Sequence, residues 1–223
     1  MSITKLVTLT QPQSPAAEAY RTLRANLHFA ALDAPVRSLV ITAPSSQEDK
    51  TLSVANLAVV LAQAEKRVIV VDADLRQPGL HALFQLDNTA GLLDALNGAP
   101  LEQVVQPTSV AGLSVLSSGK LLATPSDVFS STRMGKLIGH LTTLADMVLF
   151  DTPPALLFSD AALLASQTDG VLLVIAAGKT RREDAQLAKE TLERARARLL
   201  GAVMLDAPAD RTLRRAISRS TDR

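Results

Sequence analysis

A lysine-hydroxyl pair and three carboxylates are the residues of this chain whose types and spacing point to chemistry. Lys50-Thr51 closes the polar stretch Pro44-Ser-Ser-Gln-Glu-Asp-Lys50-Thr51, which follows a short apolar run. About twenty residues on, a second apolar run ends in Asp72-Ala-Asp74-Leu-Arg76, and a third ends in Asp151-Thr-Pro-Pro154. A phosphate-binding loop needs a strand, a tight turn and a helix whose backbone N–H groups converge on the anion. Its lysine reaches the outer phosphates and the hydroxyl after it binds Mg²⁺, and Lys50 and Thr51 hold those two places. Carboxylates at adjacent strand ends would hold Mg²⁺ directly or through water. One of them could accept a proton from an attacking hydroxyl. Each piece has a plainer reading, since Lys-Thr is common at helix starts and a strand-end Asp is often a turn former or helix cap. The connected order of the three pieces favours a functional site.

These residues need elements to position them. Arg37 to Ala43, Arg67 to Ala73, Leu113 to Leu116, Met147 to Phe150, Gly170 to Ile175 and Ala202 to Leu205 are apolar runs that read as strands. The longer ones lack polar alternation, as strands covered on both faces should. Helical periodicity is expected over Ala16 to Leu32, with Tyr20, Leu23, Leu27 and Ala31 on one stripe, and over Thr51 to Ala64. Further helices are expected at Gly91 to Leu96, Thr132 to Leu144, Ser159 to Ser166 and Arg181 to Leu199, with Ser126 a candidate cap. Pro15 suits a first helical turn capped by Ser14. Strands alternating with helices imply right-handed crossovers and an α/β, doubly wound, mostly parallel sheet. Ligands of such sheets sit beyond the carboxyl ends of the strands, where the polar residues collect. One domain spans residues 1–223, with 1–14 an extended lead-in and 207–223 a basic, flexible tail.

Bulk composition removes other possibilities. The 223 residues are 47% hydrophobic and 20% charged, enough for one large core. A net charge of +1 gives no global attraction to nucleic acid, and no nucleic-acid partner is expected. There is no cysteine, so no disulfide and no thiolate chemistry. His28, His81 and His140 show no ligand spacing. Neither a signal peptide nor a membrane-spanning run is apparent, which makes the cytoplasm the expected location.

The order of motifs resembles the bacterial tyrosine kinases (BY-kinases) of capsule and exopolysaccharide export. Glu18-Ala-Tyr-Arg21-Thr-Leu-Arg24 is similar to that family's E-x-x-R-x-x-R helix, which mediates ring oligomerisation. Val68 to Pro78 resembles its second Walker-A-type motif, and Val148 to Pro154 its Walker B motif. Asn56-Leu57-Ala58 fits the helix after the loop, and the likeness is collinear from about Leu6 to Asp206. The resemblance implies a P-loop NTPase fold of the MinD/ParA-like group, with ATP and Mg²⁺ as cofactors. Nucleotide would be contacted by Ser46, Gln47, Glu48, Asp49, Lys50, Thr51 and Asp206. Catalysis would fall to Lys50, Asp72 and Asp74, metal binding to Thr51, Asp72, Asp74 and Asp151, and oligomer contacts to Glu18, Arg21 and Arg24. A solvated helix face is the alternative for the last three. Starting at Met1, the chain looks like the free-standing type that docks on a membrane polysaccharide co-polymerase. It would then be cytoplasmic or peripheral at the inner face of the membrane.

Several positions depart from the family pattern. Asp49 and Gln47 stand where the loop usually has glycines. A non-glycine side chain forced into left-handed geometry costs roughly 1–2 kcal/mol, and a carboxylate about 5 Å from a phosphate charge adds roughly 3 kcal/mol of repulsion. Together these would weaken ATP on the order of a thousandfold. Asp206 replaces an asparagine expected near adenine, and when ionised it accepts hydrogen bonds but cannot donate. The family's tyrosine-rich tail is replaced by arginines at 211, 214, 215 and 219, and Tyr20 is the one tyrosine. Such a tail is either solvated or attracted to an anionic leaflet. Three functions remain in play: an oligomeric scaffold or regulator with weak or lost ATP binding, an active tyrosine kinase acting on other proteins, and a MinD/ParA-like ATPase switch. For the last, Ser45 stands where that group places a signature lysine.

Overall fold

A computed structural model describes residues 6–32, 34–120 and 125–207. The order is α1 (Val7–Thr10), α2 (Pro15–Ala30), β1 (Ser38–Thr42), α3 (Lys50–Ala62), β2 (Val68–Asp72), α4 (Leu80–Phe84), α5 (Leu92–Leu96) and α6 (Leu101–Val104). Then follow β3 (Val105–Pro107), β4 (Leu113–Leu116), α7 (Pro125–Phe129), α8 (Thr132–Leu144), β5 (Met147–Asp151), α9 (Asp160–Ala165), β6 (Gly170–Ala176), α10 (Arg182–Arg194) and β7 (Leu199–Leu205). The seven strands lie in the order β3-β4-β2-β5-β1-β6-β7, and every pair is parallel except β3 with β4.

The unalternating apolar runs are buried along their length in β1 and β2, as strands covered on both faces must be. Successive residues serve opposite faces. Ile69, Val71, Val148 and Phe150 enter one core cluster, beneath α5 to α9. Val68, Val70 and Leu149 enter the other, beneath α2, α3 and α4. The β1–α3–β2 crossover passes over β5, so the carboxyl ends of β1, β5 and β2 lie side by side. Register places Ile41 beside Asp151, and Asp151 beside Asp72. The fold class and the place of the polar strand ends match the sequence expectation.

Some boundaries differ. The lead-in is not wholly extended: α1 forms one helical turn, with Leu6 and Thr8 buried. Its anchor is Asn56 of α3, whose Oδ1 accepts from the Thr8 amide at 3.1 Å and the Thr8 hydroxyl at 2.8 Å. Ser14 caps α2 through the Ala17 amide, with Pro15 in the first turn, as expected. Ser126 lies inside α7 rather than before it. The helix expected to reach Leu199 stops at Arg194, because Arg196 turns left-handed at φ 59° and Leu199 joins β7. β3, α4 and α6 were not anticipated. The loop before α5 approaches β4 so closely that a Cβ on Gly91 would lie 2.0 Å from the Ser117 carbonyl oxygen. Arg211, Arg214, Arg215 and Arg219 lie outside the described residues.

Candidate nucleotide site

The loop between β1 and α3 delivers Lys50 as the first residue of α3, with Asp49 as the N-cap. Lys50 is 6% exposed. Its Nζ is paired with Asp151 Oδ1 and lies 3.7 Å from Asp74 Oδ2. Thr51 Oγ1 donates to the other Asp151 oxygen at 2.6 Å. Asp151, fully buried at the end of β5, therefore links the lysine and the hydroxyl of the loop. Ordinary packing would not require a buried lysine, two carboxylates and a threonine hydroxyl to converge at strand ends.

Asp72 sits beside Asp151 across the β2–β5 ladder. Its Oδ2 accepts from the amides of Gly79 and Leu80, each at 3.0 Å, while buried Oδ1 has no partner. Burial first, and then the Asp151 charge, push its pKa up to about 8. Asp74 is also shifted upward, chiefly by burial and against the pull of Lys50. Asp74 Oδ1 accepts from the Gln77 amide at 3.0 Å. Arg76, from the same motif, pairs with buried Asp160 of α9 at 3.0 Å and lies 3.9 Å above the Phe158 ring. It braces the strand end from outside the loop.

Hard oxygen donors with one orphaned, buried carboxylate oxygen suit Mg²⁺. Among the described residues, no group of three or more His, Cys, Asp or Glu is placed to hold a metal alone. A cavity of about 320 Å³ opens onto Ser45, Glu48, Lys50, Thr51, Asp74 and Gly79. A larger hollow of about 470 Å³ lies against Leu96, Arg133, Lys136 and His140. None of the strand-end carboxylates lines that hollow, whereas Asp74 lines the smaller cavity.

The phosphate loop corrects one expectation. Asp49 has φ −74° and ψ 58°, an inverse γ-turn accessible to any L-residue. The Lys50 amide closes that turn on the Glu48 carbonyl at 2.8 Å. Neither Asp49 nor Gln47 has a positive φ, so the strain expected from replacing glycine is absent. The exposed Asp49 side chain leaves charge repulsion as its means of opposing phosphate. The Gln47 amide donates to Ser45 Oγ at 3.2 Å and the Ser45 amide to Glu48 Oε2 at 3.3 Å, so with Lys50 three loop amides already serve oxygens of the loop itself. Ser46 and Gln47 are exposed, and Ser46 lines the cavity.

Asp206 follows β7 in a left-handed turn at φ 54°, a conformation that Asp and Asn tolerate better than most residues. It pairs with Lys179 at 3.0 Å. That bond is the main reason the Lys179 pKa is raised, with smaller pulls from the Asp49 and Glu48 charges.

Residues 48–199 match the AAA domain family. The chain is 43% identical to "Tyrosine-protein kinase YwqD" of Bacillus subtilis (strain 168) over 200 residues, covering 89% of this chain and 84% of that one. It belongs to the bacterial tyrosine kinase family. "Putative tyrosine-protein kinase CapB" of Staphylococcus aureus is 31% identical, covering 94% and 92% of the two chains. A longer relative, "Tyrosine-protein kinase ptk" of Acinetobacter johnsonii, is 39% identical, but the match spans 26% of its length. Among solved structures, the chimerical protein CapA2B2 superposes with a TM-score of 0.88 at 34% identity, covering 93% of each chain. The kinase domain of Escherichia coli ETK follows at 0.86 and 32%, covering 92% of this chain and 82% of that one. The Pyrococcus furiosus cell division ATPase MinD, at 0.65 and 24%, shares the fold. Membership of a P-loop NTPase family implies nucleotide and Mg²⁺ binding in general.

The expected oligomer residues lie on α2. Arg21 pairs with Glu18 at 2.9 Å and donates to the Pro12 carbonyl at 2.6 Å. Arg24 turns inward and donates to the Val60 carbonyl of α3 at 2.8 Å. Tyr20 is half-buried against the core, and burial raises its pKa. No helix among the described residues is long and apolar enough to cross a membrane. Sequence reasoning missed Thr180, whose hydroxyl donates to Glu48 Oε1 at 2.5 Å. Nothing in its local sequence marks it, because its partner lies 132 residues earlier.

Proposed function

We propose that this chain is a BY-kinase-like domain of capsule or exopolysaccharide synthesis whose ATP–Mg²⁺ site is assembled but weakened by the Asp49 charge. It acts chiefly as an oligomeric regulator or scaffold at the inner face of the membrane, docked on a polysaccharide co-polymerase. The observation that supports this best is that Lys50, Thr51 and Asp74 line one cavity while buried Asp151, beside Asp72 in the sheet, joins the lysine to the threonine hydroxyl.

Each residue has a task in phosphoryl transfer, which relies on positioning and charge stabilisation. Lys50 supplies a cation to the outer phosphates once it leaves its pairing with Asp151. Asp72 and Asp74, at the end of β2, are the carboxylates placed to take the proton of a tyrosine hydroxyl. Thr51, Asp72, Asp74 and Asp151 would hold Mg²⁺, which supplies charge neutralisation at the phosphates when bound. Asp206 would stand on the adenine side.

The unstrained, solvent-exposed Asp49 favours a second reading, an active kinase working on other proteins. Phosphate transfer from labelled ATP to a tyrosine-containing copolymer distinguishes the two. The scaffold reading expects wild type to run at no more than a few per cent of the Asp49→Gly rate, with Lys50→Met inactive. Equal rates for wild type and Asp49→Gly would establish the second reading instead.

A further inference from the structure

Glu48 is a buried carboxylate, 7% exposed, in the middle of a loop whose expected ligand is an anion. Left unpaired and facing the cavity, its charge would oppose phosphate as strongly as that of Asp49. Three donors hold it. Oε2 accepts from the Ser45 hydroxyl at 2.9 Å and the Ser45 amide at 3.3 Å. Oε1 accepts from Thr180 Oγ1 at 2.5 Å, within the short range of charge-assisted O–H···O⁻ bonds.

Thr180 lies outside the phosphate loop, in the turn between β6 and α10. Gly178 shapes that turn at φ 73°, and the Lys179 and Thr180 amides both return to the Ala176 carbonyl, at 3.2 and 2.9 Å. The Ala176 amide donates to Thr180 Oγ1 at 2.8 Å. A hydroxyl has one proton to give, and with its oxygen already accepting from Ala176 that proton is directed at Glu48. The adjoining residue, Lys179, is tied by Asp206 to the end of β7. Thus the Ala177 to Thr180 turn joins the middle of the phosphate loop to the β7 end.

We infer that Thr180 is a positioning residue for nucleotide binding: its hydroxyl latches the Glu48 carboxylate away from the phosphate position and fixes the loop to the β6–α10 turn. The inference rests on the nucleotide-binding reading above, and it extends the site to a residue on a separate element. Losing the hydroxyl frees a negative charge into the cavity and loosens the loop. Losing both the hydroxyl and the charge does only the second.

The experiment combines ATP–Mg²⁺ calorimetry with hydrogen exchange of the nucleotide-free full chain. Thr180→Val, nearly the same shape without a hydroxyl, is expected to weaken ATP about tenfold and to speed exchange across residues 45–51. Thr180→Ser should restore both. In a Glu48→Gln background, adding Thr180→Val should weaken ATP less than twofold, since no charge remains to be released. An unchanged Kd in Thr180→Val, or the same tenfold loss with Glu48→Gln present, overturns the inference. If no variant binds ATP, the nucleotide reading fails and exchange alone decides the latch. Faster exchange in Thr180→Val with rescue by serine upholds it, and unchanged exchange removes it.

Discussion

Asp72 brings a carboxyl group into a strand end where one oxygen has two amide donors and the other has none. Its pKa of about 8 in the fold stands against an ordinary 3.8. The native state thus holds a proton that the unfolded chain gives up. This contribution to stability is complete below about pH 4 and is lost as pH rises towards about 8. Asp74, shifted the same way by burial, adds in the same sense. The urea midpoint of the metal-free protein is expected to fall between pH 5 and pH 8, and Asp72→Asn should remove most of that slope. A midpoint that rises equally in both proteins would contradict the assignment. Lys50, Thr51, Asp72, Asp74 and Asp151 were legible in the sequence because each closes or follows an apolar run. What could not be read was the direction of Asp49. Backbone angles there settle into an inverse γ-turn, which leaves a charge effect without the strain. Thr180 was invisible for a different reason: its bond to Glu48 depends on two strands being neighbours.

At the scale of elements, α3 connects the site to the rest of the fold. Its N-terminus presents Lys50 and Thr51, while Asn56 on its buried side anchors α1. The Asn56 side-chain amide also donates to the Leu52 carbonyl at 2.9 Å. Asn56→Ala leaves the buried Thr8 hydroxyl and amide without this acceptor, so a loss of about 1–3 kcal/mol is expected in urea unfolding. A change below about 0.5 kcal/mol would show that α1 is not anchored there. The fully buried strands were read from continuous apolar runs, and the long helices from their period. β3 has three residues, ends in Pro107 and owes its existence to pairing with β4, so no local pattern announces it. β7 shows the limit at a sheet edge. Its residues are only partly buried, and its first residue, Leu199, reads as the end of a helix that Arg196 in fact breaks.

On the scale of the whole molecule, the proposal is an assembly that carries a weak nucleotide site. Glu18 and Arg21 pair on the exposed side of α2, where Arg21 also donates to the Pro12 carbonyl, whereas Arg24 turns inward to the Val60 carbonyl of α3. These positions predict different outcomes. Reversing the charge in Arg21→Glu is expected to reduce the mass seen by light scattering to that of a monomer while lowering the unfolding free energy by no more than about 1 kcal/mol, since its bonds to Glu18 and Pro12 are exposed. Arg24→Ala should cost stability as well as assembly. A wild type that remains monomeric at all concentrations would remove the ring, and with it the scaffold role.

The claim on which the account turns is that Asp49 weakens ATP through its charge alone. Calorimetric titration of ATP–Mg²⁺ into wild type and Asp49→Gly measures this directly. A carboxylate about 5 Å from a phosphate charge costs roughly 3 kcal/mol at an effective dielectric of about 20, which is about a hundredfold in Kd. Asp49→Gly is expected to bind about a hundredfold more tightly than wild type. Equal, micromolar binding by both proteins would contradict it and leave a working kinase site.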